Sequence, residues 1–287
     1  MDGFMSELAK MNIDFQSLDI IQHKDGIVVA RVVCEDRSLI IKFFQRQAFA
    51  REIENYRILS SLNIPTLHII SATERALLME DIRDSTIYRF GTEQDLNNPE
   101  IAVLIAKWYK LLHHKGYEYI RQNHDVSLYD ENDLITAKNI EEIKRKTNTS
   151  ALPVWKLIER NLDLIQNVLS KVKRTLTYND FYYSNLTVSK DSTSAMMFDY
   201  NLLGKGYAYA DIRNVCSSLS EEAQKAFCEE YGKYDTLEAM IDDVVSILIT
   251  LHFACQKTSF PSWANGALTD IQSAYIDKVQ RFLDLVK

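Results

Sequence analysis

The sequence predicts an α+β protein of two lobes, a small β-rich N-terminal lobe and a larger, mainly helical C-terminal lobe. Strand-like apolar runs are concentrated before residue 80, whereas apolar residues recur at helical spacing over most of the chain from Pro99 onward. Glycine (8) and proline (4) are scarce among the 287 residues, which disfavours an all-β sandwich or barrel with many tight turns. We predict a lobe boundary that divides the chain into residues 1–80 and 81–287.

Two periodicities predict the elements of the N-terminal lobe. The β-rich runs Gly26–Val33 and Ser38–Phe44 flank a polar turn and predict a hairpin. Apolar residues at three-residue intervals predict a helix over 49–62, which ends before Pro65 because proline disfavours helical geometry in the residue preceding it. The remaining predicted segments of this lobe are an amphipathic lead-in over 1–15 and short apolar runs at 68–70 and 76–79.

The C-terminal lobe is predicted to be helical except for one irregular region. Over 176–197, two apolar pieces flank a polar loop, a pattern that interrupts the helical periodicity. The predicted helical runs are 101–112, 152–172, 221–231 and 237–253.

Composition excludes several classes of function. The chain has 33 basic and 40 acidic residues, a net charge of −7, which argues against a nucleic-acid-binding surface because such surfaces cluster lysine and arginine. Four cysteines without C-x-x-C spacing predict free thiols in a reducing compartment rather than disulfides or zinc ligands. With no signal-peptide pattern and no apolar run long enough for a bilayer, we expect a cytoplasmic protein that does not enter a membrane.

The polar loop carries the residues that point to chemistry. Asp180 is followed five positions later by Asn185, and Asp199 comes after a short apolar strand. Phosphoryl transfer requires a group that orients the attacking hydroxyl and oxygen ligands for a metal bound to the phosphates. Asp180 can accept the hydroxyl proton, and the amide oxygen of Asn185 and the carboxylate of Asp199 suit Mg²⁺.

This segment resembles the catalytic and metal loops of the aminoglycoside phosphotransferase and choline kinase superfamily, relatives of the protein kinases. The family pattern His-Gly-Asp-x-x-x-x-Asn is matched by Asp180 and Asn185, and the apolar-Asp-aromatic metal loop is matched by Phe198-Asp199-Tyr200. The resemblance implies a protein-kinase-like fold of two lobes, with Asp180 as the catalytic residue and Asn185 and Asp199 as metal ligands. Asp211 falls where the family has an aspartate that braces the catalytic loop.

The N-terminal lobe shows the same resemblance in the same order. Lys42 resembles the strand lysine that grips the α- and β-phosphates of the nucleotide. Glu52 resembles the helix glutamate that pairs with this lysine, and Glu54 is the alternative. The segment Leu77–Ile82 resembles the hinge, where the backbone around Glu80 and Ile82 is expected to bind the nucleotide base. The similarity spans roughly Gly26–Val215.

The sequence departs from the family pattern at three places. Tyr178-Asn179 replaces the usual His-Gly before the catalytic aspartate, and we expect activity to survive this change. Asn179 is one of the residues that tolerate an unusual backbone conformation. Asn201 stands where many members have an acidic residue, and Gly26 is the one glycine near the phosphate-covering loop.

Single residues also have simpler interpretations. Lys42 by itself is typical of an ordinary edge-strand lysine, and Asp180 by itself of a turn or helix cap. The aromatic residues around Asp180 (Tyr178, Phe181, Tyr182 and Tyr183) suit core packing and pocket walls better than base stacking in an acidic chain. The ordered set of lysine, glutamate, hinge, aspartate, asparagine and aspartate therefore carries the prediction, rather than any one member.

The leading hypothesis is a kinase that transfers the γ-phosphate of ATP or GTP, with Mg²⁺, to a hydroxyl of a small acceptor. Acidic residues over Glu221–Phe260 would suit a cation such as an aminoglycoside or a choline-like alcohol, although charges of this kind are also routine on solvated helix faces. The alternative is a nucleotide-binding pseudokinase or regulatory module without turnover. A protein kinase is disfavoured because the metal loop lacks its glycine and no Ala-Pro-Glu segment follows. We expect a monomer or dimer.

Overall fold

The fold was derived from a computed structural model that describes residues 2–124 and 126–287. The strands are β1 (Ser17–Lys24), β2 (Ile27–Val33), β3 (Ser38–Phe44), β4 (Ile69–Ala72), β5 (Ala76–Glu80), β6 (Tyr88–Phe90), β7 (Thr175–Thr177), β8 (Leu186–Ser189), β9 (Ala195–Met197) and β10 (Gly204–Gly206). The α-helices are α1 (Asp2–Lys10), α2 (Arg51–Ser61), α3 (Pro99–Gln122), α4 (Ala137–Lys146), α5 (Pro153–Arg160), α6 (Leu162–Lys171), α7 (Ala208–Cys216), α8 (Glu221–Tyr231), α9 (Thr236–Cys255), α10 (Asn265–Gln272) and α11 (Tyr275–Val286).

The chain forms two compact units, each of which is discontinuous in sequence. Unit 1 consists of Met1–Leu112, Tyr178–Leu203 and Asn214–Gly232. Unit 2 consists of His113–Thr177, Gly204–Arg213 and Lys233–Lys287. The lobe boundary between residues 80 and 81 stays a prediction.

Unit 1 is built on a five-stranded antiparallel sheet with the order β1-β2-β3-β5-β4. Alternate residues of β2 are buried (Val28, Ala30 and Val32), as expected for a strand that covers a core with one face. Helix α1 packs on this face through Phe4 and Leu8, and Met11, just after the helix, joins them. The predicted hairpin of β2 and β3 and the amphipathic lead-in are therefore confirmed.

A smaller three-stranded sheet, with the order β6-β8-β9, also belongs to unit 1. Strands β8 and β9 form a hairpin in which Leu186 pairs with Met197. Because the strands are antiparallel, the residue before β8 and the residues after β9 lie at the same end of the hairpin. This topology accounts for the irregular region predicted over 176–197.

Unit 2 is mainly helical. Its core gathers the apolar faces of α4, α5, α6, α9 and α11, and Trp155 and Tyr275 are among its largest fully buried side chains. The short strands β7 and β10 pair in this unit, and Gly204 of β10 lies so close to the backbone of Tyr129 that a Cβ atom there would meet its carbonyl oxygen at 2.2 Å. None of the described helices is long and apolar enough to cross a membrane.

Strand β1, the region of helices α5 and α6, and the end of helix α3 differ from the sequence prediction. Strand β1 was missed because it lies at the edge of the sheet and all but one of its residues are exposed, so it lacks alternating apolar positions. The helical run predicted over 152–172 is two helices, α5 and α6. Asn161 separates them, and its side-chain amide donates to the Leu157 carbonyl at 2.8 Å, a local hydrogen bond of the kind that competes with helix continuation. Helix α3 continues ten residues beyond the predicted end at Leu112.

Candidate active site

Lys42 lies on the central strand of the unit 1 sheet, and its ammonium group contacts a buried glutamate on α2. Strand β3 is third of five, so the interpretation of Lys42 as an edge-strand lysine is wrong. The Lys42 Nζ atom lies 2.6 Å from Glu52 Oε2, and the Glu52 side chain is fully buried. Glu54, the alternative partner, is exposed and pairs with Arg57 at 3.2 Å. The structure thus brings Lys42 together with Glu52 rather than Glu54.

The same lysine contacts the carboxylate that follows strand β9. Lys42 Nζ lies 2.8 Å from Asp199 Oδ1, and the Asp199 side chain is 39% exposed. Asp199 has a φ angle of 63°, in the left-handed region that few residues other than glycine adopt. Such strain persists only where the surrounding contacts impose it, and it is typical of functional sites.

Asp180 and Asn185 lie together on the loop between β7 and β8. The Asn185 Nδ2 atom donates to Asp180 Oδ2 at 3.1 Å and to the Asp180 carbonyl oxygen at 3.2 Å. The Phe198 N–H donates to the Asn185 carbonyl at 2.9 Å, which joins this loop to the residue preceding Asp199. Because Nδ2 is occupied by Asp180, the amide oxygen of Asn185 is the atom that can serve a metal ion.

We call Lys42, Glu52, Asp180 and Asp199 the lysine cluster. Burial raises the pKa of Asp180 to about 6; the negative charge of Asp199 adds to this rise, while Asn185 and Lys42 oppose it. Burial likewise raises the pKa of Glu52 to about 7, although Lys42 opposes the rise. Burial opposes the charge on Lys42, but Glu52 and Asp199 outweigh it and raise the lysine pKa. The cluster therefore combines one ammonium group with three carboxyl groups and has an excess of negative charge.

A buried aromatic group supports the two loops. Tyr178, which replaces the family histidine, is fully buried, and its hydroxyl donates to the Phe198 carbonyl. Its ring makes edge contacts with Trp108 and Tyr200 at centroid distances of 5.8 and 5.7 Å. The next residue, Asn179, has a φ angle of 65° and donates through Nδ2 to the Leu202 carbonyl at 3.0 Å. The Asn179 side chain, which stands where the family pattern has glycine, thus helps to stabilise the left-handed backbone conformation of this residue.

Helix α2 holds the segment after Asp199 through two side chains that the sequence analysis missed. Asn55 Nδ2 donates to the Tyr200 carbonyl at 2.7 Å, and Arg51 Nε donates to the Asn201 carbonyl at 2.8 Å. Arg51 and Asn55 are four positions apart, so they share one face of the helix. In the sequence, this four-residue spacing is the feature that indicates a polar helix face beside Glu52.

The predicted hinge residues lie at the end of β5, where a buried aspartate anchors the chain. The Glu80 N–H donates to the His68 carbonyl at 3.1 Å, and the Ile82 carbonyl accepts from the Ser85 N–H at 3.2 Å. Within residues 2–124 and 126–287, no group accepts a hydrogen bond from the Ile82 N–H.

Between these two residues, Asp81 pairs with Arg31 and accepts from the Ser38 hydroxyl at 2.8 Å. Burial opposes ionisation of Asp81, but the Arg31 guanidinium and the other donors outweigh it and lower the pKa of Asp81. Asp81 thereby fixes the segment that contains Glu80 and Ile82, a role that no pattern in the sequence indicated.

The other predicted polar positions lie elsewhere. Asp211 belongs to unit 2, where its Oδ2 atom lies 3.1 Å from Nε2 of the buried His113, and its bracing role stays a prediction. The acidic positions predicted for substrate binding are divided between the two units. Glu221, Glu222 and Asp243 are exposed on helix faces, whereas Glu238 and Asp242 are buried in unit 2. A cavity of about 790 Å³ beside α2 in unit 1 is lined by none of the predicted site residues.

Comparisons with known proteins give the family of this chain. The sequence model of the phosphotransferase enzyme family matches residues 23–243. No curated protein sequence matches the chain significantly.

Three solved structures have a similar fold. A choline kinase from Streptococcus pneumoniae shares 14% identity with a TM-score of 0.60, covering 98% of this chain and 99% of that one. A macrolide 2'-phosphotransferase from Brachybacterium faecium shares 11% identity with a TM-score of 0.62, covering 95% and 98%. A spectinomycin phosphotransferase, solved with ADP and spectinomycin, shares 11% identity with a TM-score of 0.56, covering 94% of each chain.

At these identities the structural similarities show the fold, which is protein-kinase-like, with a β-sheet-rich N-terminal region and a helical C-terminal part. The family match covers well over half of the chain, and it includes every residue of the lysine cluster. The chain therefore belongs to the phosphotransferase enzyme family.

Proposed function

We propose that the chain transfers the γ-phosphate of a nucleoside triphosphate, ATP or GTP, to a hydroxyl group of a small-molecule acceptor. The observation that carries the proposal is the lysine cluster, in which a single ammonium group contacts Glu52 and Asp199 and acts through its charge on Asp180. An excess of buried negative charge is costly unless a cation compensates it. A divalent metal ion that arrives with a nucleotide would supply that compensation.

The donor set in the cluster fits Mg²⁺. This ion is usually held by one or two protein oxygens together with substrate phosphates, rather than by a complete cage of side chains. Asp199 would supply a carboxylate oxygen and Asn185 an amide oxygen. When bound, the metal neutralises charge on the phosphate oxygens as the phosphoryl group is transferred.

Each remaining residue of the site has a role that its contacts support. Lys42 would bind the α- and β-phosphates, and Glu52 would hold the lysine side chain in position through the contact at 2.6 Å. The Ile82 N–H and the backbone of Glu80 would bind the nucleotide base. These groups orient the triphosphate before the reaction, and orientation is a main source of catalysis in phosphoryl transfer.

Asp180 would act on the acceptor. Its carboxylate can accept the proton of the attacking hydroxyl as the new oxygen–phosphorus bond forms and the bond to the β-phosphate oxygen breaks, releasing the nucleoside diphosphate. The hydrogen bond from Asn185 holds the carboxylate in place at 3.1 Å. Because the raised pKa of Asp180 lies near 6, the group is ionised at neutral pH and is a stronger base than an ordinary aspartate.

We further propose a small alcohol as acceptor, with a cation such as choline or an aminoglycoside among the candidates. The structural neighbours include enzymes whose names specify choline, macrolides and spectinomycin. The oligomeric state and the cytoplasmic location stay predictions.

The test is a turnover assay on the purified chain with Mg²⁺ and ATP or GTP. Nucleoside diphosphate release would be measured against a panel of choline analogues, amino sugars and uncharged metabolite alcohols. We expect one acceptor class to stimulate release, and Asp180→Asn to reduce the stimulated rate by about 10³-fold. Asp191→Asn is the matched control, since Asp191 is an exposed carboxylate in the β8–β9 turn.

Two outcomes would contradict the proposal. Nucleotide binding without turnover on any acceptor would favour the alternative of a regulatory module. Stimulated turnover that survives Asp180→Asn would show that this residue does not act on the acceptor. Comparing choline with 3,3-dimethylbutan-1-ol, its uncharged isostere, tests the acceptor charge separately, because equal kcat/KM values would exclude recognition of the cation.

A further inference from the structure

Two of the four cysteines meet in unit 1. Cys216 is the last residue of α7 and Cys228 lies in α8, and their sulfur atoms are 3.7 Å apart. Both side chains are partly exposed, whereas Cys255 is buried. From this geometry we propose that Cys216 and Cys228 form a site of reversible oxidative modification, at which a peroxide converts the two thiols into an intramolecular disulfide.

The geometry requires little movement. A disulfide has a sulfur–sulfur length of about 2.05 Å, so the two sulfur atoms must approach by less than about 2 Å. They are already in contact, which means that both side chains are directed toward each other. The backbone around them is anchored by the Ser220 hydroxyl, which caps α8, and by the Ser220 N–H, which donates to the Leu96 carbonyl at 3.1 Å. Side-chain adjustment, rather than rearrangement of the helices, would close the bond.

The reaction proceeds in two balanced steps. One thiol attacks the O–O bond of hydrogen peroxide, giving a sulfenic acid and one molecule of water. The second thiol then attacks the sulfenic sulfur, forming the S–S bond and releasing a second water. The two thiols lose two electrons in total, which the peroxide accepts.

The protonation of the two thiols predicts how fast they are oxidised. Burial, and then the neighbouring Cys228, raise the pKa of Cys216 to about 12. Thiolates rather than thiols attack peroxides, so Cys216 reacts slowly at neutral pH. We therefore expect Cys216 to act as the second, resolving thiol, and the overall rate to rise with pH.

The bond would lie next to residues that support the catalytic loop. Phe227, adjacent to Cys228, packs against Tyr109 with a centroid distance of 6.4 Å. Tyr109 in turn contacts Phe181, the neighbour of Asp180, at 6.3 Å. Linking α8 to the end of α7 would restrain the helix on which this aromatic contact depends.

The experiment uses the full chain, reduced and then freed of reductant, and exposed to hydrogen peroxide at pH 7 and pH 8.5. We expect a mass loss of about 2 Da, faster at the higher pH, and one cross-linked peptide joining Cys216 to Cys228. Closing a loop of this length should raise the Tm by about 3–5 °C, and dithiothreitol should reverse both changes. The α8 peptides should exchange their amide hydrogens more slowly in the oxidised form.

Serine variants separate this pair from the other thiols. Cys216→Ser should abolish the mass loss and instead show added oxygen at Cys228. Cys228→Ser should abolish the mass loss and leave Cys216 largely unoxidised at pH 7, whereas Cys34→Ser and Cys255→Ser should keep the cross-link. If a variant fails to fold, the peptide map of the oxidised wild-type chain still shows whether Cys216 and Cys228 are cross-linked. Recovery of both cysteines as separate oxidised residues, or a cross-link that forms only in denaturant, would overturn the proposal.

Discussion

The two units of the molecule both bury carboxylates, but they compensate the negative charge differently. In unit 1, the Lys42 ammonium group contacts Glu52 and Asp199, and its charge also opposes the raised pKa of Asp180. In unit 2, Asp130 has Arg174 at 3.0 Å and Asp242 has Arg213 at 2.9 Å. Ion pairs such as those in unit 2 neutralise buried carboxylates within the fold, whereas the excess negative charge in unit 1 fits the proposed binding of a metal ion.

Unit 2 also contains a carboxyl group, that of Glu131, whose charge is incompletely compensated. We define the arginine cluster as Arg213, Asp242, Glu131 and Tyr207, in which the Tyr207 hydroxyl donates to Asp242 at 3.1 Å. Burial raises the pKa of Glu131, and Arg213 does not fully offset this. Asp242 makes the ion pair with Arg213 and is predicted to stabilise the fold, whereas Glu131 is predicted to lower the stability when it ionises.

The largest expected effect is on the activity of Asp199→Asn. Removing the carboxylate that would hold the metal should lower kcat by about 10³-fold or more, because phosphoryl transfer depends on charge neutralisation. The Tm should change by no more than about 2 °C, since the variant also removes repulsion from Asp180 and Glu52. Steady-state turnover and thermal unfolding measure the two quantities. A fall in Tm with activity retained would mean that the lysine cluster is structural, as in unit 2.

For Arg213→Met we expect a loss of stability, in contrast to the loss of activity expected for Asp199→Asn. This change leaves the buried Asp242 without its cation, a loss that costs about 2–3 kcal/mol of unfolding free energy at pH 7 and lowers the Tm by about 4–6 °C. Arg121→Met is the matched control, because the Arg121–Glu118 pair on α3 is exposed and should contribute almost nothing. An equally small effect of both changes would remove the distinction between structural and uncompensated clusters.

Addition of ligands should stabilise the wild-type chain. With Mg²⁺ and a non-hydrolysable nucleotide at about 100 times their dissociation constant, mass action gives about 2.7 kcal/mol and a Tm rise of a few degrees. Asp199→Asn should lose most of the increment that depends on Mg²⁺ but keep the part due to nucleotide alone. A Tm rise that is the same with Mg²⁺ and with EDTA would argue against a metal at Asn185 and Asp199.

The smallest effect concerns pH and Glu131→Gln. The unfolded carboxyl titrates near its ordinary value of 4.5, whereas in the folded chain burial raises the pKa of Glu131 to about 7. Between these values the unfolded chain releases a proton that the folded chain retains, so the wild-type stability falls as pH rises through this window. Glutamine cannot ionise, and the variant should gain about 1 kcal/mol over wild type at pH 8 and nothing at pH 4.5, after allowance for partial exposure.

Thermal unfolding of wild type and Glu131→Gln at pH 4.5 and pH 8 measures this difference. A Tm that falls at pH 8 would contradict the interpretation of Glu131 as an uncompensated carboxylate.

Local patterns were sufficient for much of the fold. The alternation in β2, the polar turn before β3 and the helical repeat of α2 all appear within short windows, and the structure confirms these elements. The same holds for the spacing of Asp180 and Asn185, because their contact forms within one loop. Strand β1 and the break between α5 and α6 could not be predicted in this way, since an exposed edge strand and a single asparagine leave little periodic signal.

What the sequence determined by itself is the order of chemical groups: a strand lysine, a helix glutamate, an aspartate with its asparagine, and a second aspartate. What only the tertiary structure decided is which of these groups, distant in sequence, interact with one another. Glu52 rather than Glu54 faces Lys42, Cys216 meets Cys228, and Glu131 shares Arg213 with Asp242. The reason is that burial and electrostatic energy depend on distances between atoms that packing brings together, and residues distant in sequence carry no local trace of that proximity.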